Sequence, residues 1–273
     1  YSRFIYKALR DGGYLKSDEP FTRLIHQGLI LGPDGNKMSK SKGNTVSPDD
    51  YVEKYGSDAL RLWLMFGYAY EEGGPWNEDG IKGISKYIQR VENLADRIIS
   101  NEQIEKEISK EDIEELKHIL NRTIFAVEKD IIRFSFNTAV AKLMELTNEM
   151  IRIENKYGNV KQLRETFKTF VNILAPMAPH LSEELWEKLG EKESVHLAKY
   201  PKYDENYLER NTITIAVQIN GKLKDTIEIE KGEEKDKVLA KAKQKEKIIT
   251  ALEGKEIIKE IYVQDKIVNI VVR

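Results

Sequence analysis

The 273 residues include no cysteine, which excludes a disulfide framework, thiol catalysis and cysteine-ligated zinc. A reducing, cytoplasmic setting fits that absence. Histidine is scarce, and His26, His118, His180 and His196 are scattered without the spacing of a metal site, so no protein metal site is expected. No apolar run approaches the roughly 18 residues of a membrane span, and the opening YSRFIYKALR carries no signal-peptide pattern, so no membrane partner is expected. Excess charge of one sign is missing too: 44 basic residues face 46 acidic ones, a net of −2, so any surface for a polyanion must be local. Hydrophobic residues at 40% are enough for ordinary cores, and the length suits two or three domains. The chain starts at Tyr1 inside a helical pattern, with Phe4, Ile5, Ala8 and Leu9 on one side, and reads as a piece of something longer.

The pattern divides the chain into three regions. From residue 1 to 79, short elements alternate with turns: Leu24-Ile25 and Leu29-Ile30-Leu31 read as strands, and the sequence GPDG at 32–35 reads as a tight turn. Ser47-Pro48-Asp49-Asp50 is a helix start, and SDALRLWLMF from Ser57 begins a second helix that points Leu60, Trp63, Leu64 and Phe66 at a core. From 80 to 210, apolar residues recur at three and four through five segments, which predicts a helical bundle. Gly158 and Pro176 end the third and fourth of these helices, and Trp76 is expected to pack where the bundle begins. From 211 to 273, Ile213, Ile215, Val217 and Ile219 alternate before Asn220-Gly221, a strong hairpin signal, and Leu223, Ile227 and Ile229 continue on the returning strand. A helix from about Glu234 to Leu252, closed by Gly254, and strands around 261–263 and 267–272 complete a small ββαββ unit.

Between the turn at 32–35 and the helix at Pro48 lies NKMSKSKGNTVSP, a loop placed where phosphate-handling loops sit in α/β proteins. Lys37, Lys40 and Lys42 are flexible point charges suited to a polyphosphate whose charge moves during reaction. Ser39 and Ser41 can brace the loop through hydrogen bonds to backbone, and Met38 can anchor it to a core. For an arbitrary lysine-serine run, a solvated basic loop is the commoner outcome.

Lys37-Met38-Ser39-Lys40-Ser41 is identical to the KMSKS signature of class I aminoacyl-tRNA synthetases. Lys42-Gly43-Asn44-x-Val46-x-Pro48 and Tyr55-Gly56-x-Asp58-Ala59-Leu60-Arg61 resemble the segment that follows it in the leucine, isoleucine, valine and methionine enzymes. Asn137-Thr138-Ala139-Val140-Ala141 and Ala175-Pro176-x-Ala178-Pro179-His180-x-Ser182-Glu183-Glu184-Leu185-Trp186 are similar to their helical anticodon-binding domain. Val217-Gln218-Ile219-Asn220-Gly221-Lys222 and the closing strands resemble the C-terminal domain of bacterial-type leucyl-tRNA synthetases, with Gln264 where a proline often sits.

The resemblance implies a fold of three parts, mainly α: the end of a Rossmann-type catalytic domain with the KMSKS loop, an anticodon-binding-type bundle, and a small α+β domain. It implies ATP as the nucleotide, with Mg2+ arriving alongside it. Lys37 and Lys40 become the phosphate ligands during leucyl-adenylate formation, and Met38, Ser39 and Ser41 complete the ATP-binding loop. The implied partners are tRNA(Leu) and an N-terminal catalytic portion, because the family's His-x-Gly-His motif, leucine pocket and editing domain are absent from these residues. The chain alone is therefore expected to be inactive. Lys237, Lys241 and Lys245 recur every four residues on the last predicted helix, in a region of 13 basic and 11 acidic residues, 212–273. With Lys222 and Lys224 at the hairpin, and Lys86, Arg90 and Arg97 on the first bundle helix, they are the candidate tRNA contacts. A soluble helix face explains the lysines equally. An isoleucyl- or valyl-type fragment, or a stand-alone tRNA-binding or assembly protein built of synthetase modules, are the alternatives.

Overall fold

A stripe of Ile81, Ile84, Tyr87, Val91, Leu94 and Ile98 repeats every three or four residues, so one side of a helix can bury them all. In the computed structural model, which describes residues 1–100, 102–209 and 212–273, that helix is α4 (Glu78–Ser100), and the whole stripe is buried. It lies in the first of two compact units, Tyr1–Tyr203 and Asp204–Arg273. Within the first unit, α1 (Ser2–Asp11), β1 (Leu29–Leu31), α2 (Pro48–Tyr55), α3 (Ser57–Gly67) and β2 (Gly73–Pro75) precede α4. α5 (Lys110–Ile132), α6 (Phe136–Tyr157), α7 (Lys161–Leu174) and α8 (Pro179–Lys188) complete the bundle of five helices expected from periodicity.

The helix ends follow local chemistry. α6 stops at Gly158, whose φ of +78° suits a residue without Cβ, and the Gly158 amide donates to the Glu154 carbonyl. α7 stops before Pro176, and Pro179 occupies the first turn of α8, where no amide donor is needed. Phe167 and Phe170 stack with centroids 5.9 Å apart at the centre, each contributing about 1.5–3 kcal/mol by burial. At the N-terminus of α5 the Asp112 carboxylate accepts bonds from Lys156 Nζ (2.7 Å), Tyr157 Oη (2.6 Å) and the Arg152 guanidinium (2.7 Å) of α6. Those partners, Lys156 foremost, hold its carboxyl well below the usual carboxylate range.

Three expectations in the first region need correction. Leu24 and Ile25 lie outside every strand and bridge among the described residues, and Leu24 is 77% exposed. On α3, Leu62 rather than Leu64 faces the core beside Ala59 and Trp63, since Leu64 lies about 200° further round the helix than Leu62. Phe66, in the last turn, is also exposed.

The second unit opens with β3 (Thr212–Ile219) and β4 (Lys222–Glu230), joined by Asn220 and Gly221 with φ of +49° and +76°, as a two-residue type I′ turn demands. After α9 (Lys235–Lys243) and α10 (Glu246–Leu252) come β5 (Ile257–Val263) and β6 (Ile267–Val272). The sheet order is β4-β3-β6-β5, with β3 and β6 parallel and the other pairs antiparallel. Ile215, Val217, Ile219, Ile227, Ile229, Val268 and Ile270 pack against Val238, Leu239 and Ala242 of α9 and Ile248 of α10.

The single helix expected over 234–252 is two helices. Lys241 with Lys245 and Lys243 with Lys247 are like charges four residues apart, which weakens a continuous helix there. Lys245, with extended backbone, instead caps α10. A continuous helix would bring Ile249 onto the face of Val238 and Ala242; the break buries Ile248 and leaves Ile249 exposed. Leu223 is exposed as well, because a bulge opposite Val217 and Gln218 shifts the register and changes the face on which it stands. β5 begins four residues earlier than the pattern suggests, extended by paired backbone bonds between Glu256 and Arg273.

Candidate functional site

The lysine loop springs from a two-stranded parallel sheet. β1 and β2 pair Leu29 with Gly73 through Leu31 with Pro75, and the backbones close so tightly that a Cβ on Gly28 would stand 2.1 Å from the Gly73 nitrogen. Beyond β1 the chain turns at 32–35: the Gly35 amide donates to the Gly32 carbonyl (2.9 Å) and the Gly32 amide to the Asn36 carbonyl (2.8 Å). Lys37 then bridges back to Leu31, and Lys40–Lys42 form one 3₁₀ turn closed by Gly43 in the left-handed region.

Asn44 holds this loop together. Its Oδ1 accepts from the Ser39 amide at 2.8 Å, and its Nδ2 donates to the Lys37 carbonyl at 3.3 Å and to the Asp34 carboxylate at 3.1 Å. Asp34 also accepts from the Asn36 amide (3.1 Å), and that bond first, with the Asn44 bond second, keeps its carboxyl below the usual range. Ser39 and Ser41 bond each other, Oγ to Oγ at 2.8 Å, rather than bracing backbone. Met38 is half-buried against the main core. Lys37, Lys40 and Lys42 are exposed, and among the described residues no carboxylate lies within ion-pair range of any of them. A fixed backbone thus presents three un-neutralised ammonium groups, the donor set a polyphosphate takes.

The segment behind the loop is tied to the bundle by Asp58, Arg61 and Trp76, of which the sequence pattern singles out only Trp76 for packing. The buried Asp58 carboxylate of α3 accepts from the Leu181 amide at 2.7 Å, capping α8 from a distant part of the chain, and from His180 Nδ1 at 2.9 Å. Arg61 donates to the carbonyls of Pro176 (2.9 Å) and Met177 (3.3 Å), which follow α7. Trp76, 8% exposed, donates to Tyr51 Oη at 3.1 Å, and Tyr51 donates in turn to Glu78 at the start of α4. His180 is thus an end-of-helix residue with a carboxylate partner. Among the described residues no group of three or more His, Cys, Asp or Glu is placed to hold a metal, and no helix is long and apolar enough to cross a membrane.

The family profile for class I tRNA synthetases of the I, L, M and V type matches residues 3–72, which include the loop, and that for the anticodon-binding domain of tRNA ligases matches residues 114–239. Over the whole chain, the sequence is 48% identical to a leucine–tRNA ligase of Caldanaerobacter subterraneus and 45% identical to one of Clostridium perfringens. The chain belongs to the leucyl-tRNA synthetase family.

The chain spans 34% of the length of those curated relatives. A leucyl-tRNA synthetase of Agrobacterium radiobacter, crystallised as a ternary complex with tRNA and LeuAMS, superposes on the whole chain with a TM-score of 0.69 at 34% identity, over 35% of its own length. A methionyl-tRNA synthetase of Mycobacterium tuberculosis, bound to methionyl-adenylate, shares the fold over 69% of the chain and 42% of its own length, with a TM-score of 0.57 at 16% identity.

The eight basic residues proposed from sequence fall into two groups. Lys86, Lys222, Lys224 and Lys245 are exposed, with no ion-pair partner among the described residues. Arg90 donates to Asn148 Oδ1 (2.6 Å), Arg97 pairs with Glu154 (2.9 Å), Lys241 with Glu233 (2.8 Å) and Lys237 with Glu234 (3.7 Å). The three lysines expected on one helix face are not so arranged, because Lys237 and Lys241 belong to α9 whereas Lys245 caps α10.

Proposed function

We propose that this chain is the part of a cytoplasmic leucine–tRNA ligase that grips the phosphates of ATP during leucine activation and holds tRNA(Leu). Residues 1–79 are then the end of a Rossmann-type catalytic domain, 80–210 the anticodon-binding-type bundle and 211–273 a small tRNA-binding domain. The observation that carries the reading is the set of free ammonium groups, Lys37 and Lys40 first, on a loop fixed by hydrogen bonds. The leucine carboxylate attacks the α-phosphorus, and the bond to the bridging oxygen breaks with pyrophosphate leaving. Lys37 and Lys40 meet the charge that grows on the leaving oxygens. Because that charge is larger in the transition state than in the ground state, their grip lowers the barrier rather than merely tightening ATP binding. Ser39, Ser41 and Met38 keep the loop in shape, and any Mg2+ travels with the nucleotide.

The substrate pocket lies in the remaining catalytic portion, which is proposed to seat on the bare apolar side of α1, where Phe4, Ile5 and Leu9 are exposed. Phosphate contacts of the tRNA fall first to Lys86, Lys222, Lys224 and Lys245; Arg90, Arg97, Lys237 and Lys241 join by exchanging their present partners. In the complete synthetase, Lys40→Ala is expected to lower leucine-dependent ATP–pyrophosphate exchange by about 10²–10³-fold with little change in the KM for leucine. An unchanged rate refutes the reading, as does exchange catalysed by the 273 residues alone. Enrichment of tRNA(Leu) from total tRNA on the immobilised chain, surviving moderate salt, tests the second half of the proposal.

A further inference from the structure

Three groups on different stretches of chain meet beneath the lysine loop. Asn44, past the lysines, reaches back to the Lys37 carbonyl and the Ser39 amide, so both of its side-chain polar atoms are used on the loop backbone. The second proton of its amide goes to Asp34 in the turn before the lysines, at 3.1 and 3.2 Å to the two carboxylate oxygens. Gly32 supplies the space: a Cβ there would stand 2.7 Å from Asp34 Oδ1, 2.8 Å from the Asn44 carbonyl and 3.0 Å from Asn44 Nδ2. Gly32 is itself buried, so an added methyl has nowhere to go without moving that clasp.

We infer that Asn44, oriented by Asp34 over Gly32, is the positioning residue that fixes where Lys37 and Lys40 stand for adenylyl transfer. This rests on the proposed role of the lysines. The geometry separates Asn44 from an ordinary surface amide. An amide offers an acceptor and two donors, and here the acceptor takes the Ser39 amide while the donors serve Lys37 and Asp34. Ser39 lies between the two lysines, so a bond to its amide and one to the Lys37 carbonyl set the backbone on both sides of Met38. Asp34 selects the rotamer: with a carboxylate on one side, the Asn44 amide turns its nitrogen that way and leaves the oxygen for Ser39. An aspartate at 44 would put two carboxylates face to face, whereas the exchanged pair, amide at 34 and carboxylate at 44, restores the match between those two side chains and keeps the Ser39 bond while giving up the one to the Lys37 carbonyl.

The test is leucine-dependent ATP–pyrophosphate exchange by the complete synthetase. Asn44→Ala and Gly32→Ala are expected to lower kcat about 10- to 100-fold, the scale of an ångström-level misplacement, with the KM for leucine unchanged and the melting temperature within a few degrees. Asn44→Asp should lose at least as much, and adding Asp34→Asn to Asn44→Asp should raise the rate about 5-fold or more over Asn44→Asp alone. In a background lacking both lysines, Lys37→Ala with Lys40→Ala, Asn44→Ala should cost no more than about 2-fold, because neither of the groups it positions remains. If Lys40→Ala collapses the rate while Asn44→Ala leaves kcat unchanged, the inference fails and the proposed role of the lysines stands. If Lys40→Ala is harmless, that role fails and the inference falls with it. A full loss from Asn44→Ala in the background lacking both lysines overturns the positioning role. Should Asn44→Ala fail to fold, recovery or its absence in the exchanged pair decides the matter.

Discussion

Two amphipathic helices of the same unit meet opposite fates. α4 buries Ile81, Ile84, Val91, Leu94 and Ile98, whereas α1, whose apolar residues are just as one-sided, buries none. Phe4 is 74% exposed and Ile5 55%, and Tyr14, Phe21 and Leu24 beyond the helix are exposed too. Periodicity reports which side of a helix is apolar, but the chain that covers it can lie far away in sequence. The bundle helices supply one another's cover. The apolar side of α1 finds none within a chain that spans a third of its relatives' length.

The largest effect should come from making the same change in both helices. Ile84→Ala is expected to cost about 2–5 kcal/mol in urea unfolding of the 273-residue chain, through lost burial and an unfilled cavity. Ile5→Ala should stay within about 0.5 kcal/mol there. In the complete synthetase the contrast should shrink, since the proposed catalytic portion would cover Ile5; there, Phe4→Ser should reduce stability or yield. An equal cost for Ile5 and Ile84 in the short chain would break the comparison.

Next in size is the tie between the two regions. Asp58→Ala removes the distant cap of α8 and leaves the Leu181 amide unpartnered, which should cost about 1–3 kcal/mol, and Asp58→Asn should recover part of that. An Asp58→Ala chain that melts with the parent would mean that the first region only rests against the bundle.

How far these features are legible in sequence depends on the range of the interactions. The five bundle helices, the Asn220-Gly221 turn and the helix start at Pro48 are set by neighbours within a few residues, and the structure places them where pattern puts them. The break at Lys245, the bulge that exposes Leu223 and the choice of Leu62 over Leu64 are decided by packing on another element or by crowded like charges. The lysine loop stands out as a string of letters, yet its bracing does not. Asn44 and Asp34 are ten residues apart, and only the turn at Gly32 brings them together. A Gly-Asn pair after the lysines and an Asp in the preceding turn were the available signals, and neither carries a distance.

Acid sharpens the comparison further. Asp112, in the bundle, has its carboxyl held well below the usual range, and the stability it lends is complete above its unfolded pKa of about 4 and lost as pH falls through the lower native value. Glu19, beside Arg3 and Lys7 near α1, is held down to about 2, so the sign is the same and the window runs from about 4.3 down to about 2. The Asp112 side chain is 12% exposed and that of Glu19 41%. Salt should therefore erase the Glu19 contribution and spare most of the Asp112 one. Melting curves from pH 2 to 7 at two salt concentrations should lose part of their acid limb in Asp112→Asn and change little in Glu19→Gln. The reverse pattern would place the acid-sensitive tie in the uncovered region.

The smallest expected difference, between two variants of one residue, sits where the two regions touch through rings. Between α5 and α6 the chain turns with Phe134 in the left-handed region at φ +62°, its amide bonding the Ile131 carbonyl and the Ser135 amide the Asp130 carbonyl. This is the helix-ending motif that usually takes glycine. A phenylalanine there costs about 1–2 kcal/mol in backbone strain. What offsets it is ring packing: Phe134 lies 4.9 Å from Tyr70, which precedes β2, and 5.7 Å from Phe136, at about 0.5–1.5 kcal/mol a pair. Phe134→Ala loses the rings and keeps the strain, and should cost about 2 kcal/mol. Phe134→Gly loses both, so its net cost should fall below about 1 kcal/mol. The difference between the two variants measures the strain accepted to seat Tyr70 on the bundle, and equal costs would mean that the turn is shaped by its own backbone bonds alone.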